Sequence, residues 1–253
     1  MVLEENAERG EAIMAGETGG DRSIWKIIVG VFAGPTEAFT AYSRRPRIWM
    51  VLILTILLGI VLHVFLSSYN AQMQADLISK SSTLPPEVLN RLQENAANPN
   101  LISGALTGAI TEVIFGLIMA LLAWGVGSFV MGGNSTFKKM WGVTMLAGLI
   151  PLVGSLIKLP LMAAKNSMYV SFGLAAFLPN KDFTSLVYWF LYFFDGFMIW
   201  SMIVAGIGYG VVLNVSRGKG IAVAVIVTFI VAVISAALMF VGMSFAGVKL
   251  TFF

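Results

Sequence analysis

The sequence has no cysteine and a single histidine, His63. Disulfides, thiol catalysis and cysteine-ligated metals are therefore excluded. A histidine metal cluster is excluded too, unless several chains assemble it. Charge is scarce: 11% of residues are charged, against about 25% in soluble domains. A soluble fold of 253 residues could not cover itself with so little. What fills the space is apolar, 58% of the chain, with a mean hydropathy of +0.86. A soluble enzyme and a disordered tail are both poor readings. The net charge of +3 is too small and scattered for a nucleic-acid footprint, so no nucleic acid is expected as a partner. The fold class is an all-α integral membrane protein.

Five apolar runs are long enough to span, since about 20 helical residues cross a core of roughly 30 Å. They fall at about 48–66, 104–131, 140–161, 185–213 and 220–243. Residues 1–21 hold six acids (Glu4, Glu5, Glu8, Glu11, Glu17 and Asp21) against Arg9. They lack the basic start and apolar run of a signal peptide and read as a flexible cytoplasmic tail. Residues 22–45 mix Trp25, Ile28 and Phe32 with Arg22 and Lys26. They read as an amphipathic segment lying at the membrane surface. Residues 46–253 then form one five-span membrane domain, with an extracytoplasmic loop at 67–103. In that loop, Pro85-Pro86 followed by Glu87 to Leu92 predicts a helix start and one or two amphipathic turns. Ser167–Leu178 is apolar but too short to span, and is expected to be interfacial or re-entrant.

Orientation follows from the basic residues. With the N-terminus inside, the inner segments carry Arg9, Arg22, Lys26, Arg44, Arg45, Arg47, Lys138, Lys139, Arg217 and Lys219. The outer set is Lys80, Arg91, Lys158, Lys165, Lys181 and Lys249. Basic residues resist translocation, so the N-terminus is expected in the cytoplasm and, after five spans, the C-terminus outside.

Several stretches together resemble a known family. Gly34-Pro35-Thr36-Glu37-Ala38-Phe39 and Pro46-Arg47-Ile48-Trp49 precede the first span. Gly132-Gly133-Asn134-Ser135-Thr136-Phe137-Lys138 leads into a span containing Leu149-Ile150-Pro151. Asp195-Gly196-Phe197-Met198-Ile199-Trp200, then Gly206 and Gly208, then Ser216-Arg217-Gly218-Lys219-Gly220 follow in order. Over about residues 30–245 the chain is similar to the Yip-domain (Ypt/Rab-interacting protein) family of integral membrane proteins, in its bacterial form. The resemblance implies five helices, a cytoplasmic N-terminus and no enzyme activity. Eukaryotic relatives are associated with Rab-type GTPases; the long 67–103 segment departs from their pattern.

Ionisable residues inside spans are costly and are functional candidates by default. There are four: His63, Glu112, Lys158 and Asp195. Counted from the inner ends of their spans, all lie 16–22 residues deep, roughly 24–33 Å at about 1.5 Å per residue. Their shared depth and opposite charge predict one polar cluster of Glu112, Lys158 and Asp195 across three helices. The alternative is that each side chain reaches the outer headgroups alone. Gly104-x-x-x-Gly108 and Gly206-x-x-x-Gly210 permit close helix contact, and Pro151 is expected to kink the third span. A serine protease would need a base and an elbow around the nucleophile, and His63 stands without one. The Gly-x-Gly-Asp pattern of intramembrane aspartyl proteases is absent. No catalytic residue, cofactor or metal is therefore expected. The functional expectation is a non-catalytic scaffold or adaptor of the bacterial cytoplasmic membrane. Its expected partners are the lipid bilayer, a protein bound at the N-terminus, or a second copy of the chain. The alternative is a transporter or channel component using the outer charged layer.

Overall fold

The computed structural model describes residues 23–80, 85–98, 100–165, 170–178 and 185–245. The acidic tail 1–21 and the end of the chain beyond residue 245 lie outside them. The described residues are almost wholly helical, and five helices are long and apolar enough to cross a membrane: Ile48–Ser67, Leu101–Val130, Phe137–Lys165, Gly196–Leu213 and Arg217–Gly242.

Two short helices come first. In α1 (Ile24–Ala33), Ile24, Ile27 and Val31 repeat at helical spacing and are buried. Trp25 and Val29 point away, 62% and 66% exposed. Gly34 breaks the helix, and Pro35 opens α2 (Pro35–Arg44), where its missing N–H costs nothing. The hairpin is tight: a Cβ on Gly30 would lie 2.9 Å from that of Ala38. Helix α2 buries Ala38, Phe39 and Tyr42. Phe39 packs on Gly208 and Tyr42 on Gly142, where any side chain would collide with the ring. Phe32 does not share the outward face of Trp25. Its ring meets Trp200 edge-on at 5.7 Å. Trp200 lies 13 residues before Leu213, about 20 Å along its helix, so α1 leans against the flank of the bundle.

Helix α3 (Ile48–Lys80) has 33 residues, about 50 Å, and so outruns a 30 Å core. Residues 67–80, expected as loop, continue the helix. Ala71, Gln72, Met73, Gln74 and Ala75 are good helix formers, and no Gly or Pro interrupts before Pro85. Helix α4 (Pro86–Ala97) packs back on α3 and runs longer than the one or two expected turns. Helix α5 (Leu101–Gly125) starts at Asn100, whose side chain accepts from the Ser103 N–H at 2.9 Å. It ends in a π-turn, Val126–Val130. Helix α6 (Phe137–Lys165) is the centre of the bundle: 61% of its apolar window is buried, against 17% for α5.

The expected continuous span 185–213 is two helices, α7 (Leu186–Phe193) and α8 (Gly196–Leu213). The break is local chemistry. Asp195 is extended, and its Oδ1 accepts from the N–H groups of Phe197 at 2.9 Å and Met198 at 3.1 Å. That satisfies donors a new helix would otherwise leave bare. The described part of the 167–178 segment docks on this break. Gly173 pairs with Asp195 as an isolated β-bridge, and Leu174 N–H donates to the Phe194 carbonyl at 3.2 Å. Helix α9 (Arg217–Phe245) closes the bundle along α8.

Candidate functional site

The four intramembrane ionisable residues form two pairs. Lys158 of α6 binds Asp195, the cap of α8. Both are 8% exposed. The ammonium also lies 5.9 Å from the ring centroids of Phe172 and Phe197, near enough for cation–π attraction. The Asp195 carboxylate thus joins α6 through one oxygen and caps α8 through the other. Glu112 does not join them. Its Oε2 is 3.7 Å from His63 Nε2, and both side chains are half-buried. The single three-residue cluster expected from depth is therefore split. The cause is rotation: α5 packs along α3, so the face carrying Gly108 and Glu112 meets His63. The His63 ring fills the space where a Gly108 side chain would stand.

The expected glycine contacts also divide. Around Gly104 nothing approaches within 4 Å of a would-be Cβ, so it makes no helix contact. A Cβ on Gly206 would lie 2.6 Å from Ile221 Cα, and Gly210 lies against Gly220 across the same crossing. Helices α8 and α9 thus meet backbone to backbone, as small residues permit.

Pro151 stands inside α6 and cannot donate to the Ala147 carbonyl one turn earlier. Ser201 Oγ of α8 donates to that carbonyl instead, at 2.9 Å. Sequence reading singled out Pro151 but missed Ser201; the signal was the orphan acceptor that any mid-helix proline creates. Beside this kink is a cavity of about 90 Å³. Glu112 and Phe115 of α5, Gly148 and Pro151 of α6, and Met198 of α8 are on its wall. So are Thr144 and Tyr209, whose hydroxyls bond each other at 2.9 Å. No group of three or more metal-ligating side chains occurs among the described residues.

At the opposite end of the bundle, three stretches far apart in sequence converge. Asn134 N–H donates to the Leu213 carbonyl at 3.0 Å, and Gly133 N–H to Gly127 at 2.9 Å. Gly132 has a φ of +71°, which glycine adopts without strain. Lys219 Nζ donates to the Met131 carbonyl at 3.1 Å, and Arg217 to Thr36 Oγ1 at 3.0 Å. Asn214 ends α8 in the left-handed conformation. The stretches 34–39, 132–138 and 216–220 are therefore one structural unit.

The chain is 26% identical over 213 residues to "Membrane protein YknW" of Bacillus subtilis (strain 168), covering 82% of this chain and 87% of that protein. No solved structure matches. The Yip1 domain model matches residues 29–239, from the α1–α2 hairpin into the last span, and the chain belongs to that family of membrane proteins.

Proposed function

We propose that this chain is a non-catalytic membrane scaffold that presents its Arg45–Arg47 end, as the cytoplasmic face, to protein partners or lipid. The observation that carries the reading is the convergence of the three stretches at that end. Hairpin α1–α2, the 131–136 connection and the α8–α9 turn are tied by backbone and side-chain bonds into a fixed surface. A fixed surface favours recognition, because little order is lost on binding. The charges deeper in the bundle are consumed in structure: Lys158 and Asp195 hold α6 to α8. That arrangement favours a static bundle over one that opens alternately to either side.

The orientation in this proposal is N-terminus inside and C-terminus outside. In this orientation the outward Trp25 and Val29 of α1 face the lipid beside the bundle. The test is reconstitution of the full chain in liposomes with flux assays for ions and small solutes. No flux above protein-free liposomes is expected. Flux that is lost on Asp195→Asn would overturn the scaffold reading in favour of transport.

A further inference from the structure

We propose that the basic end of the bundle binds anionic phospholipid, with Lys138 and Lys139 holding the headgroup phosphate. The proposal rests on the scaffold reading's choice of this end as the presented face, and it names the partner. Arg44, Arg45 and Arg47 join α2 to α3. Lys138 and Lys139 stand in the first turn of α6, and Arg217 and Lys219 in the first turn of α9. Packing gathers them. The Tyr42 ring occupies the place of a Gly142 side chain. Arg45 follows Tyr42 by three residues and Lys138 lies one turn before Gly142, so the arginines and the lysines meet. Arg217 and Lys219 are drawn in by their bonds to Thr36 and to the Met131 carbonyl. Among the described residues one acid stands at this end, Glu37, and its carboxylate lies back over Gly34. Orientation needs basic residues beside the spans. It does not need stretches far apart in sequence to share one surface.

What lies beside the charge selects lipid over an acidic protein. Trp49, two residues after Arg47, is 72% exposed, and Phe129, two residues before Met131, is 83% exposed. Trp124 donates its indole N–H to the Ser135 carbonyl at 3.0 Å and meets the Phe129 and Phe137 rings edge-on. Phe137 stacks on Trp141 in turn. Indoles and bare apolar side chains at one level mark the boundary between acyl chains and headgroups. Basic side chains at that boundary reach the phosphate layer. An acidic protein in water would satisfy the charge and leave the rings bare. A phospholipid joins an anionic phosphate to apolar chains and matches both.

The headgroup must carry net charge, because a zwitterionic lipid brings its own cation to a surface already rich in them. Arg217 and Lys219 spend donors inside the protein. The Lys138 and Lys139 ammonium groups pair with no carboxylate among the described residues. They are the groups left to hold a phosphate, as basic clusters between cytoplasmic helix ends do.

The experiment uses the purified full-length chain in non-ionic detergent micelles. It is titrated with phosphatidylglycerol or phosphatidylcholine, each carrying dibrominated acyl chains that quench nearby tryptophans. Phosphatidylglycerol should reach half-quenching at a mole fraction at least about fivefold lower. Lys138→Gln with Lys139→Gln should erase most of that preference, and Lys138→Arg with Lys139→Arg should keep it. Arg91→Gln with Lys165→Gln removes the same charge at the other end and should leave the preference as in wild type. Equal quenching of wild type by the two lipids, or equal loss from both glutamine pairs, would overturn the proposal. Inorganic phosphate and polyglutamate should displace little lipid. Full displacement by either would make this face a site for a soluble anion, and would overturn it as well. If the Lys138 and Lys139 glutamine pair aggregates, Glu37→Gln decides in its place: it should raise the preference, and an unchanged preference counts against the proposal. A chain with no lipid preference and no flux loses this proposal and keeps the scaffold reading. Flux that depends on Asp195 removes the scaffold reading whichever lipid binds.

Discussion

Replacing Lys158 by Met isolates the buried ion pair, and the structure sets the size of the effect. Removing one partner of a buried pair costs about 3–5 kcal/mol, because the other charge is left uncompensated. Asp195 would not be wholly bare. Its Oδ1 keeps two backbone donors at the start of α8, and the helix dipole and cap together offset about 1 kcal/mol. Lys158→Met should therefore cost about 2–4 kcal/mol. Asp195→Asn keeps the cap, since Asn caps as well as Asp, but leaves Lys158 without its counter-charge. The Phe172 and Phe197 rings beside the ammonium recover only about 0.5–2 kcal/mol of that.

The double variant removes both charges and keeps the cap. Its cost should fall well below the sum of the two single costs, with a coupling of about 2–3 kcal/mol. The measurement is reversible unfolding of the full-length chain in mixed micelles for wild type, both single variants and the double. Effects additive within about 0.5 kcal/mol would refute the argument that this pair ties α6 to α8.

Three further outcomes follow from the geometry. Ser201→Ala should cost about 1–3 kcal/mol by stranding the Ala147 carbonyl; in a Pro151→Ala background, where residue 151 supplies its own N–H, most of that cost should vanish from the same unfolding measurement. Gly220→Ala should destabilise by at least about 1–3 kcal/mol, since its Cβ would press on the Gly206 and Gly210 backbones, while Gly218→Ala and Gly104→Ala, which face open space, should fall within about 0.5 kcal/mol of wild type. Burial raises the pKa of the Tyr42 phenol, so its neutral form stabilises the fold below the unfolded pKa of about 10, and that contribution is lost as pH rises above it; in Tyr42→Phe, alkaline melting curves should lose this component, and identical curves for both proteins would contradict it.

The spans were legible because composition alone marks a membrane helix. Their rotations were not, because hydropathy reports depth and nothing about facing. Glu112, Lys158 and Asp195 share a depth, yet α5 turns Glu112 toward His63 and α6 turns Lys158 toward α8. The sequence did hold a clue: Gly108 lies one turn before Glu112 on the same face, and it leaves room for a ring. The break at Asp195 was hidden for a different reason. The apolar run from Tyr188 to Phe194 resumes at Phe197, so a window average passes over it. A lone Asp-Gly inside such a run reads as an expensive charge, but it also fits a helix start. For Ser201 the sequence signals only the acceptor, the carbonyl that Pro151 strands; the donor lies 54 residues away.

These features bear on how a cavity persists inside the bundle. In hydrocarbon no hydrophobic drive holds helices together, so close backbone contact and polar ties must do it. At one end α8 and α9 touch through Gly206, Gly210 and Gly220, and the loops lock that contact. Toward the other end Lys158 holds α6 to the start of α8. Between these two fixed points α6 carries Pro151, and the cavity lies alongside it. A proline there frees a carbonyl and bends the helix. Ser201 answers the carbonyl, so the bend is accommodated with its backbone satisfied. Gly148, one turn from the proline, leaves its side of the wall without a side chain. Filling that space would take only an ordinary apolar residue at position 148. The combination of kink, answered carbonyl and bare glycine therefore makes the cavity a built feature of α6.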